Sequence, residues 1–104
     1  ILVPASFNMT TGPVHWELLF RSQAVFNQAF VVGTAPARGT DSSYVSWSHS
    51  IITDPWGNTI SQMEAKEELR ITEINLTLCD EVREQIPVLR HLREDVYTLK
   101  ERRE

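Results

Sequence analysis

The stretch ILVPASFNMTTGPVHWELLFRSQAVFNQAFVVGTA, residues 1–35, decides the fold. Two apolar runs rich in β-branched residues, 1–4 and 29–35, flank a segment with helical spacing. The first run stops at Pro4, which suits the exit from a central strand. The second stops at Pro36. Between them, Asn8, Thr10, Thr11, Gly12 and Pro13 concentrate turn and capping chemistry. Thr10 or Thr11 is expected to cap a helix over 14–27, with Pro13 in its first turn, where a missing N–H costs nothing. Leu18, Leu19, Phe20, Val25 and Phe26 spread around this helix, so more than one of its faces wants cover. Strand, helix, strand in that order predicts a crossover between neighbouring strands.

Outward from this unit, residues 36–43 read as a surface loop, with Gly39 and Asp41 as turn residues. From Tyr44 the pattern alternates. Tyr44, Ser46, Ser48 and Ser50 fall on one face; Val45, Trp47, His49 and Ile51 fall on the other. Asp54-Pro55-Trp56-Gly57-Asn58 is a tight turn returning through 59–61, hence a β-hairpin. Residues 63–68 lead into a further expected strand over 69–74. Residues 76–86 form a short amphipathic helix ending before Pro87. Val88, Leu89, Leu92, Val96 and Leu99 are then spaced among charges in a tail, 88–104. The result is an α/β protein whose mixed sheet has one crossover helix and one hairpin. Such a sheet needs both faces covered, and one helix covers only one. A missing half or a partner subunit is therefore expected.

Composition narrows the function classes. At 104 residues, 41% hydrophobic and 23% charged, the chain is globular, and disorder and low-complexity readings fall. Net charge −4 argues against nucleic acid as a partner. Residues 1–53 hold two acids and two bases, and residues 54–104 hold twelve acids and eight bases, so all excess charge lies in the back half. The one cysteine, Cys79, forms no intrachain disulfide. No apolar run approaches the ~18 residues of a membrane span, so no membrane partner is expected. Ile1 is not a start methionine and opens what reads as a buried strand. The expectation is a portion of a longer protein.

The chemistry candidates are few. His15 sits at a helix start, where the dipole favours neutral imidazole, but a structural hydrogen bond is the simpler role. His49 reads as a core histidine and His91 as surface. The three histidines lack the spacing of a metal site, so neither metal nor cofactor is expected. Cys79 occupies the first turn of a helix, where thiolates are stabilised, yet Asp80 and Glu81 oppose it. There is no G-x-S-x-G elbow and no clustered glycine for phosphate. The loop holding Phe7, Asn8, Thr10 and Thr11 is the better candidate, because ligands gather where strands of an open sheet end. Phe7 would supply an apolar wall and Thr11 a hydroxyl. Ordinary turn and cap duties are the other reading of the same loop.

The segments PASFNMTTGPVHWELLFRSQAVFNQAFVVGTAPAR, SYVSWSHSIITDPWGN and EVREQIPVLRHLREDVY, in that order, resemble the carbon–nitrogen hydrolase (nitrilase) superfamily. Within it, they are most similar to the omega-amidases, which act on alpha-ketoglutaramate and alpha-ketosuccinamate. The resemblance covers the whole chain and matches the C-terminal portion of one such domain, residues 1–104 with the tail included. It implies the C-terminal part of a four-layer α-β-β-α sandwich. It also implies a Glu-Lys-Cys triad in which the cysteine attacks the amide carbon and a thioester is hydrolysed. None of the three maps here. Cys79 with Arg83 imitates the nucleophile's C-Y-D-x-R motif, but Asp80 stands one place early and the segment matches a late helix. Glu17 and Lys66 do not substitute for the missing pair.

What the resemblance does place is substrate-pocket wall: Phe7 and, four residues on, Thr11, with the backbone of Ala5-Ser6 nearby. His15, Trp16, His49 and the Asp54-Pro55-Trp56-Gly57 turn match family positions of structural character. The helix departs from the family's R-A-R-A-I-E-N, with Gln23 and Phe26 replacing a basic and an acidic residue together. Ser48 stands where a glycine is usual. The resemblance implies a small keto-acid amide as the partner of the complete enzyme and a homodimer or larger homo-oligomer. It places the protein in the cytosol, with mitochondria as the alternative. The 104-residue chain alone is expected to be inactive. Another amidase of the superfamily and a truncated, non-catalytic interaction module are the competing readings.

Overall fold

The computed structural model describes residues 1–40 and 43–103. The expected turn residue Asp41 lies outside them. The elements run β1 (Leu2–Pro4), α1 (Gly12–Asn27), β2 (Val31–Thr34), β3 (Ile51–Thr53), β4 (Thr59–Gln62) and α2 (Thr77–Gln85). They form one mixed sheet in the order β1-β2-β3-β4. β1 and β2 are parallel, as a crossover requires, and β2–β3 and β3–β4 are antiparallel. Mixed sheet, crossover helix and hairpin are thus as the sequence predicts. β1, however, is an edge strand in this chain: it pairs only with β2, and Leu2 is 80% exposed.

Helix α1 lies on the sheet because every fourth residue suits burial. Gly12, Trp16, Phe20 and Ala24 form its buried stripe. Trp16, Phe20 and Ala24 pack with Val31 and Ile51, and Val3, Ala5, Phe7, Ala35 and Trp47 close the core around them. Phe20 lies so close to β2 that a Cβ on Gly33 would stand 2.5 Å from its ring. Beneath it, the buried hydroxyl of Thr53 sits 3.2 Å from the Phe20 carbonyl and 3.3 Å from that of Val31. The expected side-chain cap from Thr10 or Thr11 does not form. Thr11 is already helical (φ −87°, ψ −30°), and Pro13 has no N–H to be capped. Asn8 instead closes the turn just before the helix, its side-chain oxygen accepting from the N–H groups of Thr10 and Thr11. At the far end Gln28 adopts a left-handed conformation (φ 50°) that closes the helix against the Ala24 and Val25 carbonyls.

Two other expectations are corrected. The alternation from Tyr44 does not make a long strand, because Ser48 (φ 67°) and His49 (φ 60°) are left-handed and break it before Ile51. The break has a use: it turns the His49 carbonyl to accept the buried indole N–H of Trp16 at 2.7 Å. Residues 69–74 are not a strand either. Leu69 and Ile71 are 90% and 92% exposed, and the Arg70 guanidinium, not a backbone ladder, meets the Gln62 carbonyl at 2.7 Å. The hairpin turn is confirmed in detail. Asp54 N–H donates to the Asn58 carbonyl and Gly57 N–H to that of Asp54, with Gly57 at φ +83°. Helix α2 packs through buried Val82, and Gln28 Nε2 donates to the Ile86 carbonyl at 2.6 Å.

The sheet face opposite α1 carries Leu2, Val32 and Ile52 in cross-strand register. Val32 and Ile52 there are half-buried beside Met63, Arg70 and Thr72, whereas a second face of α1 is open: Leu18, Val25 and Phe26 are exposed, the last at 79%, beside Trp56.

Candidate functional site

The candidate site is the loop between β1 and α1, residues 5–11. Its backbone is tied on both sides. Trp47 N–H donates to the Phe7 carbonyl at 2.7 Å, and Asn8 forms an antiparallel bridge with Ser46. Gly12 N–H donates to the Asn8 carbonyl at 2.9 Å, which fixes where α1 begins. A hydroxyl cluster tightens the junction. The Ser6 and Ser46 hydroxyls are 3.0 Å apart, and the Tyr44 hydroxyl donates to the Ser6 carbonyl at 3.3 Å. Ser46 is buried and also accepts from Ser48 N–H at 3.1 Å.

Phe7 is held edge-on against Trp16, ring centroids 5.1 Å apart at 76°. Its other side lines a hollow of about 330 Å³ with Ile1, Val3, Ala5, Leu19, Phe20, Gln23 and Val31. The hollow is almost wholly apolar, and Gln23 is its one polar side chain. Thr11 is not among the residues that line it. Its hydroxyl is turned to the Asn8 side chain at 3.0 Å. The structure therefore puts the two expected wall residues on one loop but in different settings, one packed and one hydrogen-bonded.

The remaining candidates are dispersed. His15 is exposed in the first turn of α1, and His91 is exposed in the tail. His49 is half-buried, stacked on Trp47 with centroids 4.2 Å apart, its Nδ1 against the Trp47 carbonyl. Cys79 is half-buried in the first turn of α2. That helix is tied to the C-terminal end of α1 through Gln28, whereas Phe7 and Thr11 sit at its N-terminal end. Sixteen residues of helix separate the two ends, about 24 Å. Glu17 and Lys66 lie on the surface in ion pairs with Arg21 and Glu64. Among the described residues, no three His, Cys, Asp or Glu side chains gather where a metal could sit. The perturbed titrations are in the tail: Arg93 holds Asp95 below the usual carboxylate range and is itself raised.

Sequence reasoning missed Asn8 as the residue that closes the turn into α1 and Ser46 as the hub of the hydroxyl cluster. The signal was present in both cases. Asn8 stands two and three residues before Thr10 and Thr11, the spacing at which an Asn side chain reaches backbone N–H groups, and Ser46 shares its alternating face with the hydroxyls of Tyr44, Ser48 and Ser50.

Comparison with known proteins agrees with the geometry. Residues 1–84 match the family model of the carbon–nitrogen hydrolases. The chain is 46% identical to Omega-amidase NIT2-A of Xenopus laevis over 103 residues, 99% of the chain and 37% of that protein. It is 44% identical to the human Omega-amidase NIT2 over 99 residues, 95% of the chain and 36% of the relative. It thus spans little more than a third of these relatives. The solved structure of Nit3 from Saccharomyces cerevisiae, a nitrilase-superfamily member, superposes with a TM-score of 0.82 at 38% identity, over 88% of this chain and 34% of that one. NitFhit of C. elegans gives 0.83 at 36% identity, over 93% and 24%. The four-stranded mixed sheet with its flanking helices is accordingly part of the α-β-β-α sandwich of this superfamily. With the family model matching most of its length and the same fold in solved members, the chain belongs to the carbon–nitrogen hydrolases.

Proposed function

We propose that the protein containing this chain is an omega-amidase that converts alpha-ketoglutaramate and alpha-ketosuccinamate to dicarboxylate keto acids and ammonia. The observation that carries this reading is 46% identity over 99% of the chain to a relative bearing that name. The chain's share of the work is pocket wall. Phe7, braced by Trp16, presents an apolar surface at the hollow, and Thr11 adds a hydroxyl on the same loop. A cysteine outside this chain would attack the amide carbon, ammonia would leave, and water would then hydrolyse the thioester. The glutamate and lysine of the triad would come from the same outside portion. Cys79 has no part in this scheme, since it sits beside Asp80 on a helix tied to the opposite end of α1. A homodimer or larger assembly would cover the apolar face formed by Leu18, Val25, Phe26 and Trp56.

Ammonia release from alpha-ketoglutaramate by the full-length protein tests the reading. Phe7→Ala should lower kcat/KM by about 1–3 kcal/mol of transition-state stabilisation, the scale of one apolar contact set. The 104-residue chain alone should release none. Unchanged kinetics in Phe7→Ala with a sharply lower Tm would make Phe7 core and remove it from the pocket. Ammonia release by the isolated chain that Cys79→Ser abolishes would make Cys79 the nucleophile.

A further inference from the structure

Asn8 stands between the two expected wall residues, and three donors converge on its side chain. The N–H of Thr10 lies 3.0 Å from Oδ1, the N–H of Thr11 2.9 Å, and the hydroxyl of Thr11 3.0 Å. Two backbone N–H donors identify that atom as oxygen and not amide nitrogen. An amide oxygen carries no proton, so Thr11 must be the donor in the third contact. The rotamer of Thr11 is thereby set by Asn8. Asn8 itself has little freedom. Its carbonyl accepts from Gly12 N–H at 2.9 Å, and its backbone bridges Ser46, which is buried. One residue joins the sheet side of the site, the first turn of α1 and the hydroxyl expected at the pocket.

We propose that Asn8 is a positioning residue that acts through Thr11, holding its hydroxyl in the orientation that meets the substrate. The proposal rests on the reading of Thr11 as pocket wall and extends it by one residue. Its consequence is a coupling. Removing the Asn8 carbonyl should matter to substrate only while the Thr11 hydroxyl is there to be oriented. A residue that merely capped the helix would show no such dependence, because its effect would fall on stability whatever stood at position 11.

The test uses four variants of the full-length protein: Asn8→Ala, Asn8→Asp, Thr11→Val and the double variant Asn8→Ala/Thr11→Val. KM and kcat for alpha-ketoglutaramate are measured alongside Tm. Asn8→Ala and Thr11→Val are each expected to raise KM roughly 3- to 10-fold, the worth of one hydrogen bond, and to lower kcat less. Asn8→Asp should restore KM, since a carboxylate oxygen accepts from the same three donors. In the double variant KM should be no higher than in Thr11→Val alone. An Asn8→Ala effect that persists in full in the Thr11→Val background, or that appears in Tm only, overturns the proposal and leaves the pocket reading standing. Wild-type kinetics in Thr11→Val, or no turnover by the wild type, overturns both.

Discussion

Gly12 and Trp47 meet where α1 begins, so closely that a Cβ built on Gly12 would stand 2.2 Å from Trp47 Cγ. The ring cannot simply retreat. It is stacked on His49, and Arg38 lies over it at 6.0 Å while donating to the Trp47 carbonyl. Gly12→Ala should therefore cost about 1–3 kcal/mol, the range for overpacking, despite alanine's better helix propensity. Urea unfolding of the full-length protein measures it. A loss that vanishes in a Trp47→Ala background would tie the cost to this contact; a loss unchanged there would place it elsewhere.

Ser48 offers the opposite case. It holds φ 67°, where an L-residue is strained, and its hydroxyl reaches only the Ser46 carbonyl, at 3.5 Å. Ser48→Gly should stabilise the protein by about 1 kcal/mol, most of the left-handed penalty less the weak hydrogen bond. Ser48→Val should be strongly destabilising at the same place. A rise in Tm for glycine and a fall for valine is the expected pair of results.

The hairpin turn depends on one carboxylate. Asp54 Oδ1 accepts from Trp56 N–H and Asn58 N–H, each at 2.9 Å, and Oδ2 accepts from Asn58 Nδ2 at 3.0 Å. The residue is buried, so truncation leaves those donors without partners. Asp54→Ala should cost about 2–3 kcal/mol, and Asp54→Asn less, since its amide oxygen keeps the two backbone bonds. Chemical denaturation of both variants checks the order. Equal losses would mean the charge, and not the acceptor geometry, holds the turn.

The 104-residue chain expressed alone should self-associate. On the sheet face opposite α1 Leu2 is exposed and Val32 and Ile52 are only half-buried, β1 has an open edge, and Leu18, Val25 and Phe26 are exposed on α1. Open edges and large apolar patches both favour association. Sedimentation velocity should show oligomers, reduced by co-expression with the remainder of the full-length protein. A monodisperse monomer with dispersed amide resonances would show that these faces need no cover.

The sequence by itself determined the elements whose signals are local. Two apolar runs around a helix with an apolar residue every fourth position made β1, α1 and β2 readable, and Asp54 to Gly57 made the turn readable, because each pattern reports short-range geometry. It placed Phe7 and Thr11 on one loop for the same reason. What only the tertiary structure decided involves partners distant along the chain. The break at Ser48 and His49 exists because Trp16, 33 residues from His49, needs an acceptor for its buried indole N–H. Residues 69–74 have strand-like residues but no ladder, since the Arg70 side chain takes the Gln62 carbonyl. The turn into α1 is closed by Asn8 and not by a threonine, because Asn8, already bridged to Ser46, offers its side-chain oxygen to the N–H groups of Thr10 and Thr11, while Thr11 is itself helical. Alternation and propensity carry no information about which remote group will satisfy a buried donor, and that requirement set the geometry at each of these positions.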